Sequence, residues 1–192
     1  MSYHDGAREL QERFGTRALA DRLHERLART QFTDEDRAFI ESRTMFFLAT
    51  ADAEGRPDCS YKGGLPGFVR VVGPSELAFP SYDGNGMFRS LGNIARNPLV
   101  GLLFLDFQES RRLRVNGHAA LDFAASAFRG AQAVVHVQAE RIFPNCSRYL
   151  HRLQTVELSA YVPVPGRTPP VPTWKRLPQF QEVLPPEDPA RG

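Results

Sequence analysis

Two short stretches of the sequence carry residue types that bind phosphate. The first is Gly84-Asn85-Gly86, which precedes a helical pattern expected to begin at Met87 or Phe88, with Arg89 and Ser90 in its first turn. Glycine has no Cβ, so its backbone can turn several N–H groups toward one anion. The first N–H groups of a helix also lack intrahelical partners, and a phosphate would satisfy them. An ordinary strand-to-helix turn without a ligand is the alternative that the spacing leaves open.

The second stretch is Ser60-Tyr61-Lys62, at the end of a predicted hairpin. Side chains alternate along a strand, so Ser60 and Lys62 are expected on the same face. A hydroxyl and an ammonium side by side offer a phosphate oxygen one hydrogen bond and one point charge. The alternative is a solvated edge strand, on which lysine deters aggregation.

Other patterns predict no further chemistry. Residues 84–89 imitate a dinucleotide-binding fingerprint, but arginine stands in place of the third glycine and no strand–helix–strand unit surrounds it. No cysteine or carboxylate lies at metal-ligand spacing around His118 or His136, so no metal site is predicted. Cys146 has no paired base in view and is interpreted as structural. The sequence identifies no catalytic residue.

The surrounding sequence predicts mainly β structure with peripheral helices. Leucines four residues apart predict a helix over residues 6–29, and Thr33 followed by three acidic residues predicts the start of a second helix that ends near Arg43. A third helix is predicted over residues 144–154, with proline at its start. Short apolar or alternating segments at hairpin spacing predict an antiparallel barrel or sandwich. These predicted strands are residues 45–51, 58–62, 68–72, 76–80, 99–107, 112–121 and 133–143.

Composition excludes several classes of protein. The 192 residues include 24 basic and 22 acidic residues, a balance that argues against a nucleic-acid-binding protein. The longest apolar run is far too short to span a membrane, and the N-terminus has no apolar signal core. We therefore expect a soluble, cytoplasmic protein with no membrane or nucleic-acid partner. Only Lys62 and Lys175 among the basic residues are lysine, which draws attention to Lys62.

The pattern divides the chain into three segments. Residues 1–43 are predicted to form N-terminal helices that pack on the body, and residues 44–161 to form the main β domain. Residues 162–192 contain nine of the fifteen prolines, which excludes regular helix or central strand over most of this tail.

The ordered segments FFLATADAEGRPDCSYKGG, ELAFPSYDGNGMFRSLGNIARNPLVGLLFLDF and RRLRVNGHAAL resemble the pyridoxamine 5′-phosphate oxidase-related, FMN-binding split-barrel proteins. The resemblance covers about residues 43–148. LQERFGT and ERIFPNCSRYL are similar to one predicted flavin-nucleotide-binding subgroup. The resemblance implies a six-stranded antiparallel split β-barrel and a homodimer, with FMN held in clefts between the two subunits.

The resemblance also implies the residues that bind FMN. It places Tyr61 near the flavin, and it places Arg112, where the oxidase has a glutamine, near the ring or its ribityl chain. The phosphate is expected to lie between two sets of residues, Ser60 and Lys62 on one side and Asn85, Gly86, Met87, Arg89 and Ser90 on the other.

The activity implied by the resemblance is that of an FMN-dependent oxidoreductase with an unassigned small-molecule substrate or electron donor. Pyridoxamine 5′-phosphate oxidase itself grips the substrate phosphate with a C-terminal Arg-x-His-x-Arg-like arrangement. The tail from Val162 onward contains no histidine, so that particular activity is not predicted. Because a fold and a cofactor do not fix a reaction, non-catalytic binding or storage of flavin, a deazaflavin or haem is the alternative.

Overall fold

The computed structural model describes residues 3–124 and 127–191, so residues 1, 2, 125, 126 and 192 of the predicted segments lie outside it. The chain divides into two compact units, Met1–Gln154 and Thr155–Gly192. The predicted boundaries at residues 43/44 and 161/162 stay predictions. The first unit contains α1 (Asp5–Arg13), α2 (Arg17–Leu27), α3 (Asp34–Glu41), β1 (Met45–Ala51), β2 (Pro57–Gly63), β3 (Arg70–Gly73), β4 (Glu76–Tyr82), α4 (Arg89–Ile94), β5 (Leu99–Asp106), β6 (Arg111–Asp122) and β7 (Ala131–Pro144). The second contains a 3₁₀ helix (Thr173–Arg176) and α5 (Pro178–Gln181).

The strands form one antiparallel sheet in the order β2-β1-β5-β6-β7-β4-β3. This confirms the mainly β prediction with peripheral helices. The sheet has seven strands, one more than the resemblance implies. β2 and β3 are its edges, and no pairing among the described residues joins them, so the sheet is open.

The sheet curls around a core of phenylalanine side chains. Three strands separate β1 from β4, and in a flat sheet with a spacing of about 4.8 Å these two strands would lie roughly 19 Å apart. Instead, the rings of Phe46 on β1 and Phe79 on β4 meet edge to face, with centroids 4.9 Å apart. Phe104 on β5 lies 5.1 Å from Phe46, and all three side chains are fully buried. The two ends of the sheet therefore face each other across the core.

The β1–β2 hairpin sets the face on which Ser60 and Lys62 lie. Its turn is held by Asp52, whose Oδ1 accepts hydrogen bonds from the backbone N–H groups of Glu54 and Arg56, at 3.0 and 2.8 Å. The resulting register pairs Lys62 with Phe46 and Ser60 with Leu48. Because paired residues of antiparallel strands share a face, both polar side chains lie on the concave, core-facing side of the sheet edge.

The prediction of a single helix over residues 6–29 is wrong, because α1 ends at Arg13 and α2 begins at Arg17. Gly15 lies between them with a φ of 65°, which glycine adopts without steric conflict. The hydrogen bonds of Gly15 N–H to Glu12 O and of Thr16 N–H to Gln11 O are those of a helix ended by a left-handed residue.

The predicted start of the next helix is confirmed. The Thr33 hydroxyl accepts from Asp36 N–H at 3.1 Å, and the Asp36 carboxylate accepts from Thr33 N–H at 3.0 Å, which completes a capping box.

The helix predicted over residues 144–154 is also wrong. β7 continues to Pro144, and residues 145–154 are irregular apart from one turn closed by Leu150 N–H and Ser147 O. The Asn145 Oδ1 accepts from Cys146 N–H, and the Cys146 Sγ accepts from Arg148 N–H. Such local bonds between side chains and backbone compete with helix formation and favour a turn.

Candidate functional site

A cavity of about 250 Å³ lies between the edge strand β2 and the segment that joins β4 to α4. We refer to it as the Lys62 cavity. Six of the nine predicted cofactor-binding residues line it. The complete lining is Asp58, Cys59, Ser60, Lys62, Ser81, Tyr82, Gly84, Asn85, Gly86, Phe88, Arg89, Ser90, Leu91 and Gln132.

One wall of the cavity comes from alternate residues of β2. Lys62 forms no hydrogen bond or ion pair within the part of the chain that the structure describes. Burial lowers the pKa of the Lys62 ammonium below its ordinary value of 10.5, while the nearby Asp58 carboxylate acts to raise it. The Ser60 hydroxyl has only a marginal contact, 3.5 Å from the Tyr61 carbonyl. This wall therefore presents a half-buried cation and a hydroxyl that are both ready for an anion.

The opposite wall is a turn with two left-handed residues. Gly86 has a φ of 75° and Phe88 a φ of 48°, a conformation that costs a bulky residue about 1–3 kcal/mol. The Asn85 Oδ1 accepts from Met87 N–H at 3.0 Å, which closes the turn. The turn leads into α4 at Arg89, so that Arg89 lines the cavity from its rim. Backbone strain of this kind concentrates at binding sites, where the surrounding structure maintains it.

A side-chain hydrogen bond fixes α4 to the sheet. The Asn93 Nδ2 donates to the Oγ1 of the buried Thr50 on β1 at 2.9 Å. Leu91 and Ile94 on the same helix are buried against the sheet. Because β1 also pairs with β2, both walls of the cavity are attached to one strand, and the spacing between Lys62 and Arg89 is set by packed structure.

Four polar lining residues were not predicted: Asp58, Ser81, Tyr82 and Gln132. Asp58 alternates with Ser60 and Lys62, so the strand periodicity contained a signal for it. Gln132 reaches the site only through the pairing of β4 with β7, which no local pattern indicates. Burial raises the pKa of the Tyr82 phenol, although Arg70 acts to lower it, so this phenol is protonated and can donate a hydrogen bond at neutral pH.

Three predicted residues lie outside the Lys62 cavity. Tyr61 is on the opposite face of β2, 60% exposed, with its ring 6.0 Å from that of Phe47. Met87 is 60% exposed and does not line the cavity. Arg112 lines a second cavity, so within one chain these three residues do not join the other six.

The second cavity, which we refer to as the Arg112 cavity, measures about 290 Å³. It lies where α3, the start of β6 and the chain beyond β7 meet. Its lining is Arg29, Glu35, Asp36, Phe39, Ser110, Arg111, Arg112, Leu113, Pro144, Asn145 and Ser147.

The described residues contain neither a metal-binding cluster nor a membrane-spanning helix. No group of three or more histidine, cysteine, aspartate or glutamate side chains in residues 3–124 and 127–191 is arranged to hold a metal ion. Within the same residues, no helix has the length and apolar character needed to cross a bilayer.

Several solved structures are similar to part of this chain. HupZ from Group A Streptococcus is 19% identical, with 59% of this chain and 94% of that chain covered and a TM-score of 0.47. HutZ, a haem storage protein from Vibrio cholerae, is 18% identical, with 59% and 94% covered and a TM-score of 0.42. An FMN-binding protein from Syntrophomonas wolfei is 11% identical, with 70% and 96% covered and a TM-score of 0.46. At TM-scores below 0.5 these likenesses do not select a ligand.

The sequence of the chain matches one protein-family model over most of its length. No curated protein matches the chain significantly. A family model described as "Pyridoxamine 5′-phosphate oxidase" matches residues 32–159, which is more than half of the chain and includes both walls of the Lys62 cavity. The chain therefore belongs to the pyridoxamine 5′-phosphate oxidase family.

Proposed function

We propose that this protein binds FMN, with the phosphate end of the cofactor in the Lys62 cavity. The observation that carries the proposal is the meeting of Lys62, Arg89 and Ser60 in one cavity of a chain that belongs to this family. Neither cation has a hydrogen bond or ion pair to another side chain in the described part of the structure.

The donor set of the cavity fits a phosphate dianion. Lys62 and Arg89 supply two positive charges, and hydrogen bonds from charged groups to phosphate are stronger than neutral ones. The Ser60 and Ser90 hydroxyls supply neutral donors without strong competing partners. Asp58 is the one carboxylate in the lining, so the side-chain charge of the cavity is positive.

The size of the cavity indicates that only one end of FMN enters it. A volume of about 250 Å³ lies below the roughly 300–1,000 Å³ of pockets that enclose a small-molecule ligand. The phosphate end fits, and the flavin ring must extend beyond the cavity. We infer that a second copy of the chain covers the ring.

The outer face of the sheet suits such a homodimer. Tyr61 is exposed there, beside the half-buried Phe47 and its cross-strand partner Leu103. Packing this apolar face against a second copy would bury it and create a cleft between the subunits. In that assembly, the predicted roles of Tyr61, Met87 and Arg112 concern the flavin ring, which extends beyond the Lys62 cavity. We also assign the curled sheet to a split barrel in which six strands form the barrel.

We propose FMN-dependent oxidoreductase activity, in the cytoplasm, on a small-molecule substrate or electron donor. Bound FMN supplies hydride or electron transfer, while this chain binds the phosphate and orients the cofactor. A non-catalytic flavin storage protein is the second candidate. It is favoured by one observation: the sequence contains no motif that identifies a catalytic acid or base.

The test begins with the absorption spectrum of the purified protein and the mass of any cofactor released from it. FMN and riboflavin are then titrated separately into the cofactor-free protein. We expect FMN to bind at least tenfold more tightly, because only FMN carries the phosphate. Equal affinities for FMN and riboflavin would contradict the phosphate site. Absence of any flavin binding would contradict the whole proposal.

Two further measurements separate the remaining alternatives. Oxidation of a nicotinamide donor by the flavin-loaded protein supports the oxidoreductase, whereas inert bound flavin supports storage. Light scattering is expected to find a dimer, and a monomer at micromolar concentration would contradict the cleft between subunits.

A further inference from the structure

We propose that the Arg112 cavity is a second anion-binding site, which takes the carboxylate or phosphate group of a small molecule. The inference rests on the cavity within one chain and does not depend on FMN binding.

The charges in the cavity do not balance. Arg29 forms a paired contact with Asp36, with nitrogen–oxygen distances of 2.5 and 3.1 Å. Arg111 pairs with Glu35 at 2.7 Å. Arg112 has no carboxylate partner within the described chain. Three arginines and two carboxylates therefore line the cavity, and one positive charge is left over.

The guanidinium of Arg112 also has an unsatisfied donor. Its Nε is shielded from solvent and finds no hydrogen-bond acceptor among the described residues. Arginine cannot release its proton in a protein, so this N–H group stays a donor at every relevant pH. Because nearly all buried polar groups have a partner, this orphan leaves the Arg112 guanidinium short of one hydrogen bond.

Neutral donors surround the same space. The hydroxyls of Ser110 and Ser147 line the cavity and form no side-chain hydrogen bond within the described residues. Asn145 uses its Oδ1 to accept from Cys146 N–H, which leaves its NH₂ group available. A guanidinium, two hydroxyls and an amide match an oxyanion that has several acceptor oxygens.

The cavity can be entered from its exposed side. The Arg111–Glu35 pair lies at the surface, with side chains 52% and 78% exposed, and ion pairs of this kind are weak. Arg111 can therefore exchange Glu35 for an incoming anion. Asp36, by contrast, is buried with its side chain 7% exposed, and it keeps Arg29 in place.

The proposal is tested by calorimetric titration of the full-length Lys62→Ala protein, in which the first cavity has lost its lysine. Inorganic phosphate and malonate are titrated separately, because the two arms distinguish a phosphate ligand from a carboxylate ligand. We expect saturable binding of at least one of them. Adding Arg112→Gln should weaken that binding at least tenfold.

Arg114→Gln is the matched control. Arg114 lies on the same strand and face as Arg112, but it contacts the Phe143 ring and does not line the cavity. It should leave the affinity unchanged. Ser147→Asp is a second variant for the case in which Arg112→Gln does not fold, and its added carboxylate should abolish binding.

Absence of saturable binding for both anions would overturn the proposal. The proposal would also be overturned if the Arg112→Gln or the Ser147→Asp protein bound the anion as tightly as the Lys62→Ala parent does. A separate titration of FMN into the parent protein distinguishes this result from the proposed function. Anion binding without flavin binding supports this site alone, and flavin binding without anion binding overturns this site alone.

Discussion

The Lys62 cavity and the Arg112 cavity differ in the kind of cation that each one shields from water. Burial disfavours the charged form of Lys62 and so lowers its pKa. A lysine can therefore lose its proton when its environment becomes drier. Arg112 has no such response, since a guanidinium stays charged. A half-buried lysine can thus exist without a ligand at little cost, whereas a buried arginine donor requires an acceptor. Ligand binding at the two cavities should consequently differ in its dependence on pH.

The two cavities also differ in the structure that supports the cation. Lys62 lies on β2, an edge strand. Arg112 lies near the start of β6, directly after a hairpin turn held by Asp106, whose Oδ1 accepts from the N–H groups of Gln108 and Glu109. The other oxygen of Asp106 pairs with Arg43 at 2.5 Å, and both side chains are largely buried. The position of Arg112 therefore depends on a buried ion pair.

The largest expected effect comes from removing that ion pair. Asp106→Ala should lower the free energy of unfolding by about 3–5 kcal/mol, because it leaves Arg43 buried without its partner. It should also weaken anion binding at the Arg112 cavity, and its effect on FMN affinity should be smaller. Urea denaturation and the titrations described above measure these changes. Asp122→Ala, at the far end of β6, is the control and should cost less than about 1 kcal/mol.

The same pair predicts the behaviour of the protein in acid. Burial acts to raise the pKa of Asp106, but the Glu109 amide and Arg43 outweigh it, so the pKa lies below the ordinary value of 3.8. A carboxyl group with a lowered folded-state pKa stabilises the protein above its unfolded pKa, and this stability is lost as the pH falls through the folded value. Unfolding measured below pH 3.8 should show this loss in the parent protein and not in Asp106→Ala.

The second prediction concerns the cations of the Lys62 cavity. Lys62→Ala and Arg89→Ala should each raise the Kd for FMN by about 10- to 100-fold, since a hydrogen bond to a charged group contributes about 1.5–3 kcal/mol. Fluorescence titration of FMN measures the change. Arg96→Ala is a suitable control, because Arg96 is exposed just beyond the same helix and lines no part of the cavity. Full FMN affinity in both cavity variants would contradict the assigned phosphate position.

Much of this cavity was predictable because its residues occur in two short local patterns. Alternation on β2 correctly placed Ser60 and Lys62 on one face, and the glycines of residues 84–86 marked the turn before α4. Local patterns contained no information on Gln132, which reaches the cavity through long-range strand pairing. Local patterns also could not predict that Arg112 lines a cavity. That cavity forms only when α3 and the chain beyond β7 pack on β6.

The helical predictions failed where a local residue outweighed the periodicity. Apolar spacing continued through Gly15, but the positive φ of that glycine separates α1 from α2. After β7, proline suggested a helix start, whereas the side chains of Asn145 and Cys146 took the backbone N–H groups into a turn. The strand pattern predicted an antiparallel barrel or sandwich, but it could not show which distant strands meet across the core.

The third prediction tests the difference between lysine and arginine directly. The affinity of the Lys62 cavity for FMN should fall as the pH rises toward 10.5, because the lowered pKa of Lys62 removes its charge within this range. A phosphate monoester is already a dianion above its second pKa of about 6, so the phosphate does not contribute to the change. Anion binding at the Arg112 cavity should not fall in this way.

Lys62→Arg is the variant that sharpens this test. A guanidinium keeps its charge, so the pH profile of FMN binding should become flat up to pH 10. If the parent and the variant show the same decline, a group other than Lys62 controls binding.

The smallest expected effect is on stability. The folded-state pKa of Lys62 lies below its unfolded value, so the charged form is disfavoured by folding. This unfavourable contribution is fully present below the folded pKa and disappears as the pH rises past 10.5. Lys62→Met keeps the length of the side chain and removes the charge. It should therefore raise the free energy of unfolding at pH 7 by less than about 1 kcal/mol, with a smaller gain at pH 10.5, as measured by urea denaturation at both pH values. A clear loss of stability at both values would mean that Lys62 contributes to the fold itself, and its charge could then not be regarded as held for a ligand.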